Sequence, residues 1–180
     1  AGGGAVLIGG ALSGSTQGIH ISITAIGETP RRKVVYRSGG RPGDRLYVTG
    51  ILGRAAAGLL LLENGLRRGR TAAEKQALAA HRKPWPRCGA GEWLAQNGFA
   101  RAMMDLSDGL SMDLPRLCRA SGTGAGVYSS HLPRAEGEAL GFDPLELALH
   151  GGEDFELLFC VLPRKARALE SSWPPGFPPI

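Results

Sequence analysis

Strands alternating with helices put this 180-residue sequence in the α/β class, in its mixed α+β form. Three stretches carry that reading. Residues 155–162 are apolar on nearly both faces, as a strand in the middle of a sheet must be. Residues 100–104 form a second apolar run that feeds an acidic turn, Asp105-Leu106-Ser107-Asp108-Gly109. Beyond the turn, Leu110, Leu114, Leu117 and Cys118 recur at helical spacing. Composition agrees: 43% hydrophobic and 21% charged residues is the make-up of a globular chain long enough to bury a core.

Taken in order, residues 5–8 read as a short strand entering Gly9-Gly10, and residues 19–27 alternate apolar and polar side chains as a strand does. A strand pair needs neighbours that the first residues do not supply, so the sequence reads as a fragment of a larger fold. Residues 28–41 are a polar connector bearing Arg31, Arg32, Lys33, Arg37 and Arg41, and Arg41-Pro42-Gly43-Asp44 is a turn. A strand over 46–49 precedes a helix over 54–62, which Asn64-Gly65 closes. Thr71 with Glu74 three residues on is a capping box and predicts a helix over 71–81. Pro84 and Pro86 enforce extended chain before a short helix over 92–96. Pro115 falls inside the helix after the acidic turn and predicts a late start near Ser111, or a kink. Residues 127–132 read as an edge strand, 144–149 and 165–171 as helices, and the proline-rich 173–179 as loop.

Strand, acidic turn and helix in that order is a geometry for holding a metal ion at a sheet edge. Asp105, Ser107 and Asp108 are hard oxygen ligands of the kind Mg²⁺ takes together with substrate phosphates. A simpler reading stands beside it, that Ser107 or Asp108 caps the helix. A second acidic turn, Gly151-Gly152-Glu153-Asp154, adjoins the central strand, and strand ends are where α/β folds place ligand sites. Amides at the Gly50–Gly53 helix start could hold phosphate or merely make the turn. Arg37 is the arginine best placed for phosphate. His20, His81, His131 and His150 are isolated and read as structural, and no HExxH, Walker A or GxGxxG motif is present.

The net charge of +5 comes from scattered arginines, with only 6% aromatics, which argues against a nucleic-acid interface and for small phosphorylated partners. No apolar run is long enough to span a membrane, and the first residues carry no basic region of a signal peptide. Cys88, Cys118 and Cys160 are widely spaced and odd in number, so they are expected as reduced thiols in a cytoplasmic protein.

Five strings, in order, carry a resemblance: Ile23-Thr24-Ala25-Ile26-Gly27-Glu28, Arg37 to Gly50, His81 to Arg87, Met104 to Leu110 and Leu149 to Phe159. Together they resemble thiamine-monophosphate kinase, over nearly the whole chain. The wider superfamily includes aminoimidazole ribonucleotide synthetase, selenophosphate synthetase and a hydrogenase-maturation protein. The resemblance implies a homodimeric two-domain enzyme that uses ATP and Mg²⁺ to convert thiamine monophosphate to thiamine diphosphate. Residues 1–30 would be the remnant of an N-terminal ATP-binding and dimerisation domain. Residues 31–180 would be the truncated C-terminal domain of the synthetase-like fold, a mixed sheet with flanking helices. Carried over by position, Asp105 and Asp108 would bind Mg²⁺, Ser107 and Arg37 would contact ATP, and Glu153 would contact the thiamine substrate. One departure stands out: the family aspartate after the glycine pair is Ala11 here. The resemblance leaves two alternatives open, a sibling ATP-using enzyme and a non-catalytic domain that dimerises or binds nucleotide. The 180 residues alone are expected to aggregate or dimerise through the 19–26 strand.

Overall fold

The computed structural model describes residue 6, residues 8–10 and residues 14–180. Ala11 and residues 5 and 7 of the expected 5–8 strand lie outside the described residues.

Three strands form one sheet in the order β1-β3-β2: β1 (Arg45–Val48), β2 (Ala100–Leu106) and β3 (Glu156–Val161). The run expected in the middle of the sheet is there. β3 pairs antiparallel with β1, from Arg45 opposite Val161 to Val48 opposite Leu158, and with β2, from Ala100 opposite Val161 to Leu106 opposite Glu156. A register shift between Ala100 and Ala102 makes Arg101 a bulge. The parallel component is one bridge outside the named strands, Leu52 to Arg134.

Among the described residues six α-helices accompany the sheet: α1 (Arg54–Glu63), α2 (Ala72–Arg82), α3 (Cys88–Gln96), α4 (Leu110–Ser121), α5 (Pro144–His150) and α6 (Pro163–Ser172). The two-residue period of the strands sorts their side chains onto two faces. Ala102, Met104, Leu106, Leu158 and Cys160 meet Leu110, Leu114 and Leu117 of α4 and Ala148 of α5. Phe159 and Val161 point the other way, to Leu94 of α3 and Leu169 of α6, with Met103 and Tyr47 beside them. A satellite cluster joins α1, α2 and α5 through Ala57, Leu61, Ala77, Leu78 and Leu147. Phe159 and Val161 are fully buried, each worth about 1.5–3 kcal/mol of apolar transfer. Past Glu156 every residue of β3 is apolar, as a strand serving both faces must be, which is why its sequence was so legible.

The capping box at Thr71 and Glu74 is formed, and Asn64 caps α1 with Gly65 in the left-handed region behind it. Four expectations change. The 19–27 stretch is not a strand: Ile19, Ile21, Ile23 and Ile26 are 91, 80, 86 and 86% exposed, because among the described residues no neighbouring strand reaches them. Residues 127–132 hold a 3₁₀ turn, Ser129–His131, in place of an edge strand. The short helix over 92–96 begins earlier, at Cys88. Finally, α4 starts at Leu110 and runs through Pro115, which is exposed and deprives only the Ser111 carbonyl of its helical partner.

A groove of about 740 Å³ opens on the α4 side of β1, lined by Leu46, Val48, Leu114, Leu117 and Cys118 among others. None of the predicted site residues lines it. No helix among the described residues is long and apolar enough to cross a membrane. Cys88 is exposed, Cys118 and Cys160 are buried, and all three are free thiols.

Candidate functional site

The acidic turn is held from behind by a residue that the sequence reading passed over. Asp113, wholly buried on the first turn of α4, accepts the amides of Ser107 and Asp108 on one carboxylate oxygen at 3.0 and 2.9 Å. Its other oxygen accepts from Arg116 at 2.7 Å, and the same guanidinium nitrogen also pairs with Asp108. The Asp108 pair first, and the Asp113 pair second, push the Arg116 guanidinium above its ordinary range. The N-cap of α4 is Gly109, with no side-chain bond to the helix, so neither Ser107 nor Asp108 caps it. Their side chains are left for other work. A carboxylate three residues into a helix that follows an acidic turn was the available signal: the SDGLxxD spacing lets it reach back to the turn.

The two acidic turns are stitched together by main chain. The Glu153 amide donates to the Ser107 carbonyl at 2.8 Å, and the Phe155 amide to the Leu106 carbonyl at 2.8 Å. Gly109 and Gly152 permit that closeness: a Cβ on Gly109 would lie 2.9 Å from the Gly151 carbonyl oxygen, and one on Gly152 2.7 Å from the Ser107 carbonyl oxygen. Glu153 and Phe155 have φ of 68° and 50°. Non-glycine residues in that region cost about 1–3 kcal/mol each and mark functional turns when their surroundings enforce them. Glu153 is exposed beside Ser107 and Asp108.

Behind this seam lie two buried anchors. Asp154 accepts the amides of Gly53 and Ala55, at 2.6 and 3.0 Å. The amides at the start of α1, which the glycines had suggested for phosphate, are therefore occupied by the protein's own carboxylate. Glu156 accepts a two-pronged pair from Arg87, at 2.7 and 2.6 Å, and the Thr49 hydroxyl at 2.6 Å. Gly50 is obligatory there, with φ of 70° and a would-be Cβ 2.0 Å from Glu156 Oε1. Arg87 closes the His81–Arg87 string, so that stretch and the Leu149–Phe159 string meet in one ion pair.

Burial pushes the Asp154 carboxyl up to about 6, against the lowering effect of the Gly53 and Ala55 amides, and the Glu156 charge adds to the rise. A raised carboxyl binds its proton more tightly in the folded chain than in the unfolded one. Its contribution is therefore present at low pH and lost as pH rises from about 4 through 6. We expect Asp154→Asn to flatten that part of the stability profile, read as urea midpoint against pH. An unchanged slope between pH 4 and 6 would remove Asp154 as its source.

Ser107, Asp108 and Glu153 are thus brought together, Asp105 stands just before them near the end of β2, and Arg37 lies apart. Arg37 is exposed, and its carbonyl accepts from Ser121 Oγ at 3.4 Å at the far end of α4. Among the described residues no ion pair joins it to the acidic turn. His150, the histidine nearest the site, meets Ser111 Oγ at 2.9 Å.

The donors fit Mg²⁺. The Asp105 carboxylate is exposed with no cation against it, and the Asp108 side chain is 52% exposed. Among the described residues no three His, Cys, Asp or Glu side chains converge on one point. That suits an ion held by one or two carboxylates with phosphate and water completing its shell, not a cage made by protein alone.

Comparison with known proteins supplies the family. The family model described as AIR synthase related protein, C-terminal domain, matches residues 41–172. Thiamine-monophosphate kinase of Salmonella typhimurium is 40% identical over 149 residues, 81% of this chain and 43% of that one. Thiamine-monophosphate kinase from Stenotrophomonas maltophilia K279a, a crystal structure, superposes with a TM-score of 0.73 at 33% identity, over 79% of this chain and 47% of that one. AaThiL complexed with AMPPCP and TMP gives a TM-score of 0.66 at 34% identity, over 73% of this chain and 43% of that one. The chain spans about half the length of the curated relatives it matches. With the family model covering residues 41–172 and the two acidic turns joined inside that span, the chain belongs to the AIR synthase related proteins and carries their C-terminal domain.

Proposed function

We propose that the complete protein transfers the γ-phosphoryl group of ATP to thiamine monophosphate, directly and in line, giving thiamine diphosphate. The observation that supports this is the seam between the turns: the Glu153 amide donates to the Ser107 carbonyl at 2.8 Å, so the turn we read as meeting substrate lies against the turn we read as meeting metal. The likeness to a kinase solved with AMPPCP, an ATP analogue with a carbon β–γ bridge, supports the choice of nucleotide. Asp105 and Asp108 would hold Mg²⁺, Ser107 would contact the ATP phosphates, and Glu153 would orient the thiamine moiety. Arg37, away from the turn, would meet a different part of the nucleotide.

The ion, when bound, would neutralise the phosphates and template their approach. The chain's own residues do the rest by position and charge. Two highly charged anions must meet, and such a reaction calls for placement and countercharge with no covalent nucleophile from the protein. Asp113 and the turn glycines fix the main chain beneath Ser107 and Asp108, so the geometry is set before substrate arrives. We read residues 1–30 as belonging to a separate ATP-binding and dimerisation domain, residues 31–180 as the C-terminal domain, and the working enzyme as a cytoplasmic homodimer.

The test is ATP-dependent formation of thiamine diphosphate by the complete protein, beside its Ala11→Asp variant. Product from the unaltered protein is the expected result. Product from the variant alone would mean a kinase that has lost a metal ligand at position 11. No product from either, with both folded and binding ATP, would overturn the assignment in favour of a sibling substrate or a non-catalytic nucleotide-binding role.

A further inference from the structure

We propose that Arg116 is a positioning residue that serves as an internal counter-ion for Asp108, holding that carboxylate while the site is free of metal and yielding it to a divalent cation. The inference rests on the reading of Asp105 and Asp108 as metal ligands. It starts from an asymmetry among three side chains. Asp113 is wholly buried, and its carboxylate already has two amides and Arg116 as partners. A buried carboxylate must keep a cation, so the Arg116–Asp113 bond is needed whatever happens outside. Asp108 is the opposite case. Its side chain is 52% exposed and takes only the outer share of the same guanidinium, whose side chain is 36% exposed.

Arg116 can therefore release Asp108 without uncovering a buried charge, and it cannot release Asp113. The two bonds differ in function although one nitrogen makes both. Without Arg116, the Asp108 and Asp113 carboxylates that share its one nitrogen would have no cation between them, and Asp108 would be open to any incoming ion. With Arg116 in place, the incoming ion has to displace the arginine, from one carboxylate only. The exchange is balanced in charge: a divalent cation takes over the countercharge on Asp108, and the guanidinium stays on Asp113.

The experiment is a titration of the full chain with Mn²⁺ alone, bound ion being read by electron paramagnetic resonance, beside Arg116→Gln, Arg116→Lys and Asp108→Asn. Glutamine still offers Asp113 an N–H but has no charge with which to hold Asp108. Arg116→Gln is expected to bind Mn²⁺ about two- to fivefold more tightly, the size of effect an exposed ion pair supports. Arg116→Lys should restore wild-type affinity, and Asp108→Asn should lose the site. Equal affinity in wild type and Arg116→Gln, still abolished by Asp108→Asn, would overturn the counter-ion role and leave the metal site standing. No Mn²⁺ bound by wild type or Arg116→Gln would overturn both readings. Should Arg116→Gln fail to fold, nitrogen-15 NMR of the arginine side chains in the wild-type protein decides. The Arg116 guanidinium signal is expected to move on addition of Mg²⁺, and a signal unmoved at saturation would refute the exchange.

Discussion

Asp113→Ala is expected to cost about 3–5 kcal/mol of folding stability, the range for breaking a buried ion pair by removing one partner. The substitution strands the amides of Ser107 and Asp108 and leaves Arg116 without its inner partner. Domains of this size are stable by about 5–15 kcal/mol, so the loss is about a fifth of the whole or more. Asp113→Asn should be milder. Its amide oxygen can still accept both main-chain bonds, because one Asp113 oxygen takes both of them now, and the cost falls on the Arg116 contact alone. Urea midpoints at neutral pH provide the measurement. A shift under about 1 kcal/mol for the alanine variant, the range of an ordinary exposed salt bridge, would show that the brace is not needed.

Asp105→Ala is expected to separate activity from stability in the other direction. The side chain is exposed and touches no cation, so truncation should leave stability within about 0.5 kcal/mol. In the complete protein the same change should reduce Mg²⁺-dependent thiamine diphosphate formation by roughly a hundredfold or more, the scale for losing one preorganised stabilising group. Asp108→Ala should do likewise. Turnover retained by both variants would sink the metal assignment. Read beside Asp113→Ala, the pair tells a ligand from the scaffold that presents it.

Much of this was legible in the sequence, for identifiable reasons. β3 could be recognised because a central strand with helices on both faces has no polar side to disguise it. α2 could be recognised because Thr71 and Glu74 solve the problem of its unpaired amides locally. The 19–27 stretch misled because alternation states only what a strand would do with a neighbour, and no strand lies beside it among the described residues. Asp105, Ser107, Asp108 and Glu153 could be proposed because acidic runs beside glycines at the ends of apolar stretches stand out along the sequence. Asp113, Arg116 and Arg87 were not singled out, and Asp154 was named only as part of its turn. Their roles depend on partners between 3 and 101 residues away, which neither periodicity nor composition encodes.

The seam between the two acidic turns has an evolutionary consequence. Its bonds run from amide to carbonyl, Glu153 to Ser107 and Phe155 to Leu106, and use no side-chain atoms. What the side chain at 153 does can change without moving the turn that carries Asp105 and Asp108. On the function proposed above, a lineage could exchange one acceptor molecule for another by single substitutions on one half of the seam, while the other half is inherited intact. The join is a modular one: its constraint falls on the glycines at 109 and 152, and its freedom on the residue between them in space.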